Sequence, residues 1–176
     1  MVKYSAFLRG INVGGNNPVK MDDLKKLFEA IEFKNIRTVL ASGNVLFETK
    51  QANTLILTKK IEENLKKKFG IEISVIVRSI EELQFLSDMN PFKEINVTPQ
   101  TRLYITFLPE KPKNKMKIPY ESPDKNFKIL RVTDKEIWSI LTVTEGKTVE
   151  LMDIIEKEFG KKVTTRNWNT ILRLLK

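Results

Sequence analysis

Apolar positions recur along this chain in two rhythms, and the change from one to the other predicts its elements. Met21, Leu24, Leu27, Phe28 and Ile31 fall three and four residues apart, which predicts a helix from about Met21. Asp22 and Asp23 stand in its first turn, where the helix dipole favours negative charge. Leu57, Ile61, Leu65 and Phe69 repeat every four residues, predicting a second helix over Thr54–Phe69 that stops at Gly70. Around these helices the rhythm becomes that of strands. Tyr4–Arg9 reads as the first, and Ile36–Ala41 and Val45–Thr49 as two more joined through Ser42-Gly43-Asn44, a glycine-containing hairpin signal. In the fourth, Ile71, Ile73, Val75 and Val77 alternate with Glu72, Ser74 and Arg78, the pattern of a half-buried strand. The order βαββαβ predicts an α+β fold, with a ferredoxin-like unit over residues 1–79.

Residues 80–176 are less regular and predict a second α+β subdomain. Ser79 and Glu82 form a capping box that opens a short helix to about Asp88, broken at Asn90-Pro91-Phe92. Arg102–Leu108 reads as a strand. Pro109, Pro112, Pro119 and Pro123 then punctuate a Pro/Lys-rich connecting segment, 109–126, expected to be loop. Phe127–Val132 and Ile137–Val143 form a hairpin around Asp134-Lys135. A helix from about Val149 to Phe159 follows, then a strand stub at Lys162-Val163-Thr164 and a last helix ending at Leu175. This half is expected to be a degenerate ferredoxin-like echo of the first, packed against it.

Topology singles out one end of the first unit. In a split βαβ the crossover helix makes strands one and two parallel, and strand three slots between them. The loop Leu8-Arg9-Gly10-Ile11-Asn12-Val13-Gly14-Gly15 and the Ser42-Gly43-Asn44 turn therefore lie together, with Arg78 at the opposite end. Glycines admit a close backbone approach, arginine binds anions bidentately, and the amides of Asn12 and Asn44 donate or accept. Gly10 to Gly15 has the G-x4-G spacing of a phosphate loop, but Asn16 and Asn17 stand where that motif needs Lys and Ser/Thr, which argues against triphosphate hydrolysis. A purely structural role, with the glycines turning the chain and the asparagines in left-handed positions, is the competing explanation. Thr164-Thr165-Arg166-Asn167-Trp168 is a second polar cluster. Thr164 or Thr165 is expected to cap the last helix, placing Arg166 in its first turn, where a cation is disfavoured unless an anion answers it.

Composition narrows the chemistry. The 176 residues contain no Cys and no His, so thiol catalysis, a Ser–His triad, an imidazole base and the usual zinc sites are excluded. An enzyme would need Lys20, Tyr4 or a carboxylate. No cofactor and no metal is expected. With 41% hydrophobic and 30% charged residues the chain is an ordinary globular one, without disulfides or an apolar run of membrane length; a cytoplasmic protein is expected. The net charge of +9 invites nucleic-acid binding, and Phe7 and Phe47 are candidates for a shared stacking face on adjacent strands. The lysines are spread along the chain, however, and the third strand lacks the basic-Gly-aromatic run of an RNA-recognition motif.

The same blocks carry a resemblance. Leu8 to Gly15 with Lys20, Met21 and Leu24, then Ser42-Gly43-Asn44-Val45 with Phe47, Val77-Arg78, Asn90-Pro91-Phe92 and Thr165-Arg166-Asn167-Trp168 together resemble the domain-of-unknown-function family 1697. The resemblance implies a small bacterial α/β protein of ferredoxin-like subdomains and no particular activity. It groups the candidate ligand residues: Arg9, Gly10, Asn12, Gly14, Gly15, Lys20, Ser42, Gly43 and Asn44, with Arg166, Asn167 and Trp168 from the second cluster. The expected function is binding of a small anionic or phosphate-bearing ligand. RNA or single-stranded nucleic-acid binding, and an enzyme working without His or Cys, are the alternatives.

Overall fold

The computed structural model describes residues 1–113, 116–144 and 151–176 as a mixed α+β protein with two antiparallel sheets. It divides into two compact units, Met1–Asp88 with Arg173–Lys176, and Met89–Leu172.

In the first unit, β1 (Val2–Leu8), α1 (Met21–Ala30), β2 (Lys34–Val39), β3 (Asn44–Thr49), α2 (Thr54–Phe69), β4 (Val75–Ser79) and α3 (Ile80–Asp88) follow in order. The sheet order is β2-β3-β1-β4. The hairpin strand β3 thus lies between β1 and β2, as a split βαβ requires. Tyr4, Ala6 and Leu8 join Val45, Phe47, Val75 and Val77 in one core with Leu24, Leu27 and Phe28 of α1 and Leu57, Ile61 and Leu65 of α2. Both helices sit where their apolar periodicity put them. Asn53 caps α2, its side chain accepting from the Leu55 amide at 2.8 Å, and Gly70 ends it in the left-handed region. The capping box of α3 is present, with Ser79 and Glu82 bonding each other's amides at 2.9 and 3.1 Å.

Two expectations change here. The fourth strand is not half-buried: it begins at Val75, and Val75, Ile76, Val77 and Arg78 are all buried. Nor do Phe7 and Phe47 share a face. Phe47 stands opposite Tyr4 and Phe7 opposite Asn44, so the two rings point to opposite sides of the sheet, and both are fully buried. They pack the interior and offer no platform to a base.

The second unit holds β5 (Thr101–Phe107), β6 (Tyr120–Glu121), β7 (Phe127–Val132), β8 (Glu136–Thr142), α4 (Leu151–Phe159) and β9 (Thr164–Asn167); α5 (Trp168–Leu174) closes the series. Its sheet runs β6-β7-β8-β5-β9. Apart from the two-residue edge strand β6, the order β7-β8-β5-β9 repeats that of the first sheet. Leu108, Phe127, Ile129, Ile137, Leu151, Ile155 and Val163 form its core. The expected helix start at Val149 lies outside the described residues.

The second polar cluster is also rearranged. Thr164–Asn167 forms a strand, and the last helix begins only at Trp168. Arg166 therefore pairs with Ile105 across the sheet and is not in a helical first turn. Neither threonine caps the helix; the Asn167 side chain does, accepting from the Asn169 amide at 2.9 Å.

Candidate functional site

The loop after β1 and the β2–β3 turn meet as topology demands. The Leu8 amide donates to the Gly43 carbonyl at 2.8 Å, and the Asn12 side chain donates to the Ala41 carbonyl at 3.0 Å. Gly43 is the point of closest approach. Its φ is +80°, and a Cβ there would lie 2.9 Å from the side chains of both Leu8 and Ile11. A larger residue is excluded on both counts.

Inside the loop, Val13 and Asn16 bridge each other around Gly14-Gly15, with φ of +58° and +77° and the Asn16 amide donating to the Val13 carbonyl at 3.0 Å. Two consecutive left-handed residues favour glycine at this tip.

The asparagines divide by role. Asn12 is fully engaged: its amide donates to Val19 and Ala41 carbonyls at 2.8 and 3.0 Å, and its oxygen accepts the Val19 amide at 2.8 Å. Asn44 is buried and donates to the Val39 carbonyl and the Ser42 hydroxyl at 3.0 and 3.1 Å. Asn17 reaches back to the Gly10 carbonyl at 3.2 Å. These three hold the loop's shape. The Asn16 amide group and the Ser74 hydroxyl, by contrast, have no hydrogen-bond partner among the described residues.

Both residues line one recess. It encloses about 360 Å³ and is lined by Arg9, Gly10, Asn16, Asn17, Glu72 and Ser74. The end of β1 is locked to its wall, because the Arg9 amide donates to the Ser74 carbonyl at 2.9 Å. Arg9 is half-buried, and Gly10, at φ +67°, has no neighbour within 4 Å of where a Cβ would stand. The floor is therefore open backbone beside a guanidinium. Glu72 carries the opposite charge, tempered by Lys66, whose ammonium lies 2.6 Å away and is raised in pKa by that hydrogen bond and by the carboxylate's charge. Lys20 is exposed at the N-terminus of α1 without a capping side chain, and Ser42 and Gly43 belong to the neighbouring turn. Arg78 stands opposite Ser5, towards the other end of the sheet.

In the second unit, Trp168 is buried and meets Phe92 edge to face, ring centroids 5.5 Å apart. The Asn-Pro-Phe and Thr-Arg-Asn-Trp blocks therefore pack together. Arg166 lies in a row across four strands, Arg131–Trp138–Ile105–Arg166, with Arg131 stacked over the Trp138 ring at 5.1 Å. Arg166 donates to the Thr165 carbonyl at 2.9 Å, and burial lowers its guanidinium pKa to about 10. Among the described residues no group of three or more His, Cys, Asp and Glu is placed to hold a metal, and no helix is long and apolar enough to cross a membrane.

Periodicity alone did not point to Asn16, Asn17, Glu72 and Ser74 as lining. The available signal was register: in an antiparallel β1–β4 pair, the segment before β4 runs beside the residues that follow β1, which sets Glu72 and Ser74 against Arg9 and Gly10.

An α+β protein of two such sheets is the class that the fold defines, and the family follows from the sequence. The family model described as protein of unknown function (DUF1697) matches residues 1–138, and the chain belongs to that family. No curated protein matches it. Among solved structures it is similar to a conserved bacterial protein from Streptococcus pneumoniae, with 18% identity and a TM-score of 0.69 over 98% of this chain and 96% of that one. At that identity the likeness speaks for the fold alone.

Proposed function

We propose that this is a cytoplasmic binding protein for a small anionic, phosphate-bearing ligand held in the Arg9 recess. The observation that carries the proposal is the recess itself: a guanidinium, an open glycine backbone, and the uncommitted polar groups of Asn16 and Ser74 converge on one polar hollow. Arg9 supplies a fork of donors to phosphate or carboxylate oxygens, and Gly10 lets a ligand approach the chain without a side chain intervening. The stapled Asn12 and Asn44 keep the loop preorganised, which lowers the entropy lost on binding. The one carboxylate in the lining, Glu72, is ion-paired with Lys66 at 2.6 Å and no imidazole or thiol accompanies Ser74, which favours binding over catalysis. Nucleic-acid binding has less to support it, because Phe7 and Phe47 are interior residues on opposite faces.

The test is a thermal-shift screen against phosphate, sugar phosphates, nucleotides and dicarboxylates, in which a true ligand stabilises by RT ln(1 + [L]/Kd). Any hit should vanish in Arg9→Ala. A hit that Arg9→Ala leaves unchanged places the site elsewhere.

A further inference from the structure

We infer that this chain associates with further copies of itself head to tail, the acidic solvent face of α3 docking on the basic solvent face of α2. Both helices belong to the first unit, and both leave large apolar side chains in water. Phe85 of α3 is 65% exposed, and Leu55 and Ile56, in the first turn of α2, are 64% and 65% exposed. The apolar periodicity of the two helices turns Leu57, Ile61, Leu65, Leu83 and Leu86 inward. Each helix therefore carries a second apolar spot that its own packing does not use.

Charge names the occupant. In a chain of net charge +9, α3 carries Glu81, Glu82 and Asp88 and no basic residue. The α2 helix carries five lysines against Glu62 and Glu63, with no acid in its first turn. Lys59 stands one turn after Leu55, and Glu81 one turn before Phe85. Laid antiparallel with Phe85 over Leu55, the two helices bring Glu81 over Lys59, and Asp88 comes to the N-terminal end of α2, where the dipole favours an anion. Among the described residues Lys59 and Glu81 form no ion pair, so both charges are at the disposal of a partner. A symmetric contact through either face sets like charges together, acids against acids or lysines against lysines; only α3 on α2 pairs opposite ones. The contact cannot form inside one molecule, because both helices rest their buried faces on their own unit and turn these faces outward. Two single-helix faces make a small interface, and a heterologous one leaves a free face at each end.

Sedimentation velocity and light scattering of the full chain, from tens of micromolar to about 1 mM, test the contact. The mean mass should climb with concentration without stopping at a dimer, and fall when salt is raised to about 0.5 M. Phe85→Gln and Leu55→Gln, both at exposed positions, should keep the native circular dichroism, and each alone should weaken association about tenfold or more. Mixed, the two variants retain one sound face of each kind and should form mixed dimers that grow no further. Glu81→Gln and Lys59→Gln change charge alone and carry the same test should an apolar variant lose its fold: each should weaken association at low salt and have no effect at high salt. A chain that stays monomeric, an association that stops at a dimer, a face variant that associates as well as the parent, or a mixture no heavier than its components overturns the inference.

Discussion

Asn12 shows what a single residue decides in this loop. Its φ of +54° is one that asparagine tolerates better than most side chains, and its amide uses both donor and acceptor on neighbouring backbone. Three hydrogen bonds, two to Val19 and one to Ala41, join the glycine loop to the start of α1 and to the β2–β3 turn. Asn12→Ala strands those backbone groups and leaves alanine in a left-handed conformation. At about 1 kcal/mol per hydrogen bond, with a further ~1 kcal/mol of backbone strain, the expected loss is roughly 2–4 kcal/mol. Urea melts measure it directly. A loss under about 1 kcal/mol means that the loop keeps its shape without this staple, and the preorganisation argued for the recess goes with it. Asparagine is thus a poor guide to function here: Asn12, Asn16 and Asn44 look alike in the sequence, and hydrogen bonding alone tells the staples from the open group.

At the scale of elements, the helices α1, α2 and α3 were legible because each carries its own information. A 3.6-residue apolar stripe, an acidic first turn, a capping box and a terminal glycine are local signals that need no partner. The meeting of the glycine loop with the hairpin was legible too, since connection rules force it. Strands β4 and β9 were misread for the converse reason: what lies across a strand decides its burial and even its existence. Glu72, Ser74 and Arg78 read as one wet face of the fourth strand until Ile76 and Arg78 proved buried. Thr164–Asn167, polar throughout, reads as a cap until β5 hydrogen-bonds along it. That reassignment changes what Arg166 is worth. In a helical first turn its replacement would be nearly neutral; in β9 its stem lies on a packed sheet and its buried guanidinium bonds the Thr165 carbonyl. Arg166→Gln should therefore cost about 1–3 kcal/mol in a denaturant melt, through lost packing and a less satisfied polar group. A change within about 0.5 kcal/mol, ordinary for a surface site, would return Arg166 to the candidates for ligand contact.

For the whole molecule, the absence of histidine and cysteine fixes how stability responds to pH. Stability varies with pH only where the folded and unfolded chains bind different numbers of protons. With no imidazole and no thiol, no side chain with an ordinary pKa between about 5.5 and 9 exists in the sequence. Among the described residues, the shifts of Glu121, Lys66 and Arg166 leave that gap open. Glu121 is lowered by its hydrogen bond to Lys128 and then by that charge. Its contribution is present above the unfolded carboxylate range and is lost as the pH falls through the lower folded value. Lys66 is raised by Glu72, so its contribution is present below the unfolded lysine pKa and is lost only as the pH climbs past the folded one. Arg166, lowered to about 10, works in the other sense: above that pH the unfolded chain holds its proton longer, which relieves the folded state of a buried charge. All three changes lie outside the neutral range. The unfolding free energy from urea titrations should accordingly be flat, within about 0.5 kcal/mol, from roughly pH 5.5 to 8.5, and should fall below about pH 4.5 as the carboxylates protonate. A slope inside the plateau requires a buried carboxylate pushed far up or a buried lysine pushed far down. In that event the variant that flattens the profile identifies the group, and a group of that kind beside the Arg9 recess would reopen the case for catalysis there.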